Sequence, residues 1–217
     1  KIHLIERKMM KLSYKNNQFP IITMNKDEHT IKLYSMVHVA PKTFYDDVYE
    51  HISKDVENGF AIHMEGVKGY PDKNIYLYKD IADVLGFITQ YDLLKKIEFK
   101  VVDYTYDQLP YIDKLRIKGI RKMLDRFVEN LKENEDLQKT VKDHYVDDSP
   151  IRKQTFIDKI IQGTTITTAR SHHAAQQAIL DDKNVSLIWG RGHNEEIVDF
   201  LIEHGYSIEK EEIISIT

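Results

Sequence analysis

The chain has 217 residues, 41 % of them hydrophobic and 30 % charged, with 31 basic against 35 acidic side chains and a formal net charge of −4. That balance excludes a largely disordered chain and a membrane-embedded one, and its mild acidity is not the footprint of a general nucleic-acid binder. The absence of cysteine removes disulfide scaffolds, thiol nucleophiles and cysteine-held metals, whereas ten histidines leave nitrogen and oxygen ligation open.

Residues 1–10 (KIHLIERKMM) lack the apolar core and small-residue cleavage site of a signal peptide, and no run is long and apolar enough to span a membrane. The expectation is a single α/β domain over residues 1–217, either cytoplasmic or the soluble part of a membrane-associated protein. Five prolines fall singly and read as punctuation between elements. Residues 30–39 (TIKLYSMVHV) read as a strand apolar on both faces. A helix follows Pro41, with Phe44, Val48, Ile52 and Val56 as its core stripe and Gly59 as its stop. FAIHMEGV (60–67) is a second strand, which makes a βαβ unit with parallel pairing. Residues 78–90 read as helix and IEFKVVDY (97–104) as a third strand. A mainly helical insertion spans about 112–180, interrupted near Gly163. Its first part carries an apolar stripe of Ile117, Ile120, Leu124, Phe127, Val128 and Leu131. VSLIW (185–189) is a buried strand, GRGHN follows it, and 195–204 is a helix with Asn194 as its N-cap and Gly205 as its stop. Residues 206–217 supply an edge strand. The fold class is α/β, with a mixed, mainly parallel sheet covered by helices.

In open α/β sheets, ligands bind beyond the carboxyl ends of the strands. Three polar residues fall at such ends: His38, Glu65 and His193. Each histidine alone is more often a surface or hydrogen-bonding residue. Together, two imidazoles and a carboxylate form a recurrent set of divalent-metal ligands that leaves positions for water and substrate. His63 lies two residues before Glu65 on the same strand face, so it either replaces or supports that carboxylate. Gly190 and Gly192 either let the backbone approach an anion ahead of a helix or make room for His193. There is no HExxH, GxSxG, GxGxxG or GxxxxGK[ST], so the common zinc-protease, serine-hydrolase and nucleotide-binding signatures are missing.

In order and spacing, several segments resemble the TraB/PrgY/GumN/Tiki family. SMVHVAPKTFYDDV (35–48) resembles its first GxxH block, with Ser35 in place of Gly. AIHMEGV (61–67) resembles its acidic strand. IADVLGFITQYDLL (81–94) and FKVVDYTYDQL (99–109) resemble its middle, and TTARSHHAAQQAI (167–179) its arginine-bearing helix. VSLIWGRGHNEEIVDFLIEHGYSIE (185–209) resembles the second GxxH block, with Asn194 where a leucine is common. The resemblance spans residues 31–209. It implies the α/β sandwich of the wider superfamily, which includes erythromycin-esterase-like and ChaN-like proteins. It also implies a metal-dependent peptidase using manganese, cobalt, iron or zinc, with His38, Glu65 and His193 as ligands. Glu65 would otherwise serve as general base, and Arg170 would be a catalytic or substrate-positioning cation. His63, Asp103 and Arg191 are then candidates for supporting or substrate-contacting roles. Relatives of the TraB and PrgY type imply a role in peptide-pheromone shutdown. The alternative is a non-catalytic peptide- or haem-binding protein on the same fold, or a metal-free hydrolase with a histidine base. The partner implied is a peptide. The 13 tyrosines and eight phenylalanines suit a peptide groove or a homodimer face equally well.

Overall fold

The run Val185–Gly190 is apolar on both faces and becomes an interior strand of the sheet, flanked by a parallel strand on each side. The computed structural model describes residues 14–67, 75–150 and 164–217. In chain order they form β1 (Gln18–Lys26), β2 (His29–Met36), β3 (Val39–Ala40), α1 (Lys42–Glu57), β4 (Ala61–Met64) and α2 (Ile75–Leu85). Then come β5 (Ile88–Thr89), α3 (Gln90–Leu94), β6 (Lys100–Val101), α4 (Tyr111–Glu133) and α5 (Glu135–Tyr145). The last elements are α6 (Thr164–Ile179), β7 (Val185–Gly190), α7 (Asn194–Glu203) and β8 (Ser207–Ser215).

Six strands form one mixed sheet in the order β6-β4-β7-β2-β1-β8. The four strands β6, β4, β7 and β2 are parallel, whereas β1 pairs antiparallel with both β2 and β8. The architecture is α/β with a mixed, mainly parallel sheet, as the hydrophobic runs suggested. The expected βαβ unit is present, but its two strands are not neighbours: β7 lies between β2 and β4 and pairs with both. The final strand is an edge strand, as expected.

One face of the sheet carries Tyr34, Met36, Ile62 and Ile188 against Phe44, Tyr45, Val48 and Ile52 of α1. The other carries Ile31, Leu33, Leu187 and Trp189 against Ala174, Ala175 and Ala178 of α6 and Ile197, Val198 and Leu201 of α7. Small alanines on α6 let that helix lie close to the sheet. A third cluster, around Val39, Ile81, Leu85, Val128 and Leu131, joins α2 to α4 and α5. The expected helical segment is therefore two structures. The helices α4 and α5 form the outlying unit, while residues 164–179 belong to a covering layer of the sheet. Gly163 and the interruption near it lie outside the described residues.

Several boundaries move. The strand read over 30–39 breaks at Val37–His38, and the helix read over 78–90 stops at Leu85, where Gly86 takes φ +68. A Thr89–Asp92 capping box then starts α3. Only Lys100 and Val101 of the third expected strand form a ladder, opposite His63 and Met64 of β4. The stripe on α4 is buried only toward its end: Val128 and Leu131 are buried, whereas Ile120 is exposed. No element was read over residues 18–26, yet β1 is an interior strand, between β2 and the edge strand β8. Its Pro20 lies before the first β1–β2 pair, Ile21–Tyr34, where no ladder bond to β2 is required.

Candidate functional site

Four parallel strands end on one edge, and each delivers a polar residue there. His38 follows β2, Glu65 follows β4, Asp103 follows β6, and the turn Arg191–His193 follows β7. His38, Glu65 and His193 line one cleft of about 350 Å³ with Gly190, Arg191 and Gly192, walled on its apolar side by Phe19, Met36 and Val37. The three residues picked from the strand ends thus meet in one place.

Glu65 is the hub. Its Oε1 accepts from Arg170 Nη2 at 2.7 Å, and its Oε2 accepts from the Gly190 N–H at 2.8 Å. Burial pushes this carboxyl up, but the Arg170 guanidinium, then His193, His38 and the Gly190 N–H, outweigh it and hold it at about 2. Arg170, on α6, also donates through Nε to Asp103 Oδ1 at 3.0 Å and through Nη2 to Asp103 Oδ2 at 2.5 Å. Burial favours loss of its proton, but the two carboxylates more than reverse this and keep it charged. Asp103 Oδ2 further accepts from the Gly66 N–H at 3.2 Å, which ties the β6 end to the β4 end. A Cβ at position 190 would stand 3.0 Å from Glu65 Oε2, so Gly190 serves the close approach of that carboxylate. Gly192 has nothing within 4 Å of its Cβ position.

His193 is buried, with Nε2 at 3.7 Å from Glu65 Oε1, Nδ1 at 2.8 Å from Ser171 Oγ, and its ring edge-on to Trp189. His38 packs against Tyr78 of α2 with the rings tilted by 31° and their centroids 4.3 Å apart. Protein packs densely around His38 even though its surface opens to solvent, and that desolvation lowers its pKa despite the opposing charge of Glu65. Desolvation likewise lowers the pKa of His193. Both rings are therefore neutral at pH 7. With Glu65 and Asp103 negative and Arg170 and Arg191 positive, the cleft and its clamp are formally neutral overall.

Among the described residues, no group of three or more His, Asp or Glu side chains is arranged to hold a metal ion. The chemistry of the donor set still fits a divalent cation. Two neutral imidazoles and a carboxylate share one cleft. Glu65 Oε1, already accepting from Arg170, retains a second lone pair.

The supporting residues separate. Asp103 does orient the site, through Arg170. His63 does not reach it: it is fully buried, and its Nε2 pairs with Asp181 at 2.9 Å in the α6–β7 loop. Arg191 is engaged elsewhere, donating to the carbonyls of Asn16 at 2.7 Å and Gln18 at 3.3 Å while its guanidinium lies over Phe19. It builds the cleft wall, with its positive charge set against neutral carbonyls. Asn194 is not the N-cap of α7 but its first residue, and its amide donates to Ser35 Oγ. Ser171 and Tyr78 were not singled out from the sequence. Ser171 directly follows Arg170, and a residue one position along the same helix is its nearest local signal.

Comparisons with protein-family models, with curated proteins and with solved structures return no match. No helix among the described residues is long and apolar enough to cross a membrane.

Proposed function

We propose that the cleft is the centre of a metal-dependent hydrolase, and that its substrate is a peptide. The single observation that carries the first part is the placement of His193 Nε2 at 3.7 Å from Glu65 Oε1 in the cleft that His38 also lines. The peptide, the link to pheromone shutdown and the erythromycin-esterase-like or ChaN-like form of the fold rest on the motif resemblance to the TraB/PrgY/GumN/Tiki family.

A divalent ion held by His38, Glu65 and His193 would supply Lewis acidity toward a carbonyl. The residues of the chain do the rest. Glu65, held near a pKa of 2, is a poor proton acceptor at neutral pH and contributes negative charge. Were the cleft to work without an ion, a His38 or His193 imidazole would be the better base. Arg170 is clamped by two carboxylates, so it fixes Glu65 and keeps positive charge beside the place where an oxyanion would develop.

A second reading has its own observation. Both Glu65 oxygens already accept hydrogen bonds, which suits a cleft that binds a peptide or haem without turnover, or hydrolyses with a histidine base and no metal. One experiment separates these readings. Purified protein is loaded with Mn²⁺, Co²⁺, Fe²⁺ or Zn²⁺ and the bound metal measured, with a peptide library as substrate and with His38→Ala and His193→Ala beside wild type. One ion per chain, lost in both variants, with cleavage abolished by a chelator, is the expected result. Cleavage that survives chelation overturns the metal's part, and binding without cleavage overturns the enzyme.

A further inference from the structure

Ser171 is fully buried on α6, one turn after Thr167 and beside His193. Its Oγ lies 2.7 Å from the Thr167 carbonyl oxygen and 2.8 Å from His193 Nδ1. A carbonyl carries no proton, so an O···O contact of that length requires the serine hydroxyl to donate to it, the familiar back-bond of a helical serine. A serine has one hydroxyl proton. With that proton on Thr167, Oγ can only accept from His193. Nδ1 therefore carries the ring proton, and Nε2, the nitrogen facing Glu65, carries the lone pair.

We propose that Ser171 is the positioning residue of His193: its hydroxyl, committed to the Thr167 carbonyl, accepts the Nδ1–H and so presents Nε2 unprotonated to the cleft. The Thr167 carbonyl that takes the serine proton also hydrogen-bonds the His193 ring, and Trp189 lies edge-on to that ring. The consequence is chemical. An Nε2 lone pair can ligate a cation or accept a proton, whereas an Nε2–H can do neither. That consequence rests on the cleft being a hydrolytic centre; the tautomer itself does not.

The test reads the histidine ring nitrogens of the full chain by ¹⁵N NMR, above the titration range of histidine and without metal. Wild type is expected to show His193 protonated at Nδ1 and bare at Nε2. Ser171→Ala is expected to lose that preference and populate both tautomers, and Ser171→Thr, which keeps a back-bonding hydroxyl, to restore it. Titration with Mn²⁺ alone then gives a second readout, expected to be about tenfold or more weaker in Ser171→Ala. An Nε2–H ring in wild type overturns the proposal even if Ser171→Ala does not fold. So does a wild-type tautomer preserved in a folded Ser171→Ala. An Nδ1–H ring in a protein that takes up no Mn²⁺ upholds the role of Ser171 and defeats the metal reading alone.

Discussion

Asn194, the first residue of α7, donates its side-chain amide to the hydroxyl of Ser35 near the end of β2, and both side chains are buried. The bond fastens the helix that follows His193 to the strand that leads to His38. Ser35→Ala leaves the amide without an acceptor in a place where Asn194 Oδ1 already has no partner, and a loss of about 1–3 kcal/mol is expected. Asn194→Leu leaves the serine hydroxyl unpaired at a similar cost. The double variant is expected to be more stable than the sum of the two, by about 0.5–3 kcal/mol in a denaturant-unfolding cycle. Strict additivity would show that the bond couples nothing.

Among the described residues, Arg170 is the cation that bridges Glu65 and Asp103, at 2.7 Å and 2.5 Å. Replacing it with methionine strands two buried carboxylates. A destabilisation of about 3–5 kcal/mol is expected, measured by urea unfolding. Adding Glu65→Gln and Asp103→Asn to Arg170→Met is expected to recover part of the loss, because neutral amides need no counter-charge.

Glu65 makes the fold acid-sensitive. Its carboxyl is held at about 2 in the folded chain against an ordinary value of 4.5. The depressed value favours the folded state above pH 4.5, and that contribution, on the order of 3 kcal/mol, is lost as the pH falls toward 2. Glu65→Gln is expected to flatten the stability profile in that window, as read by unfolding midpoints between pH 2 and pH 6. An unchanged slope would mean that other carboxylates govern acid unfolding.

His38 and His193 both have pKa values below the ordinary 6.5, with desolvation as the main cause. Each ring is therefore a free donor across neutral pH and gains a proton only in more acidic solution. Mn²⁺ uptake is expected to hold down to pH 6.5 and to fall below it, as followed by titration at fixed ionic strength. A midpoint above 6.5 would contradict the desolvation of these rings.

A buried carboxylate away from the cleft holds α1 to the sheet. Asp55 accepts from Tyr34 Oη at 2.5 Å and Ser186 Oγ at 2.6 Å and pairs with Lys32. Asp55→Ala is expected to cost about 3–5 kcal/mol in unfolding while leaving Mn²⁺ uptake by the folded protein unchanged. Weakened uptake in a folded variant would show that the cleft depends on the seat of α1.

The helices and strands with a strong local signal were readable in the amino-acid order. Phe44, Val48 and Ile52 recur at helical spacing and are buried, and Gly59 and Gly205, read as stops, adopt positive φ just past the C-caps of α1 and α7. His38, Glu65 and His193 were readable as strand-end residues, because parallel strands carry their carboxyl ends to one edge. The strand β1 was not legible, since its apolar residues have no clean alternation and a proline lies among them. The insertion of β7 between β2 and β4 joins segments more than a hundred residues apart, and no local periodicity encodes that choice. The same holds for the clamp of Asp103 and Glu65 on Arg170, the diversion of His63 to Asp181, the burial of Arg191 against Phe19, and the bond from Ser171 to His193. Spacing along the chain is set by the backbone and is visible in sequence. Which side chains meet across the fold depends on how two sheet faces and their helices pack, and that follows from the summed burial of the whole core.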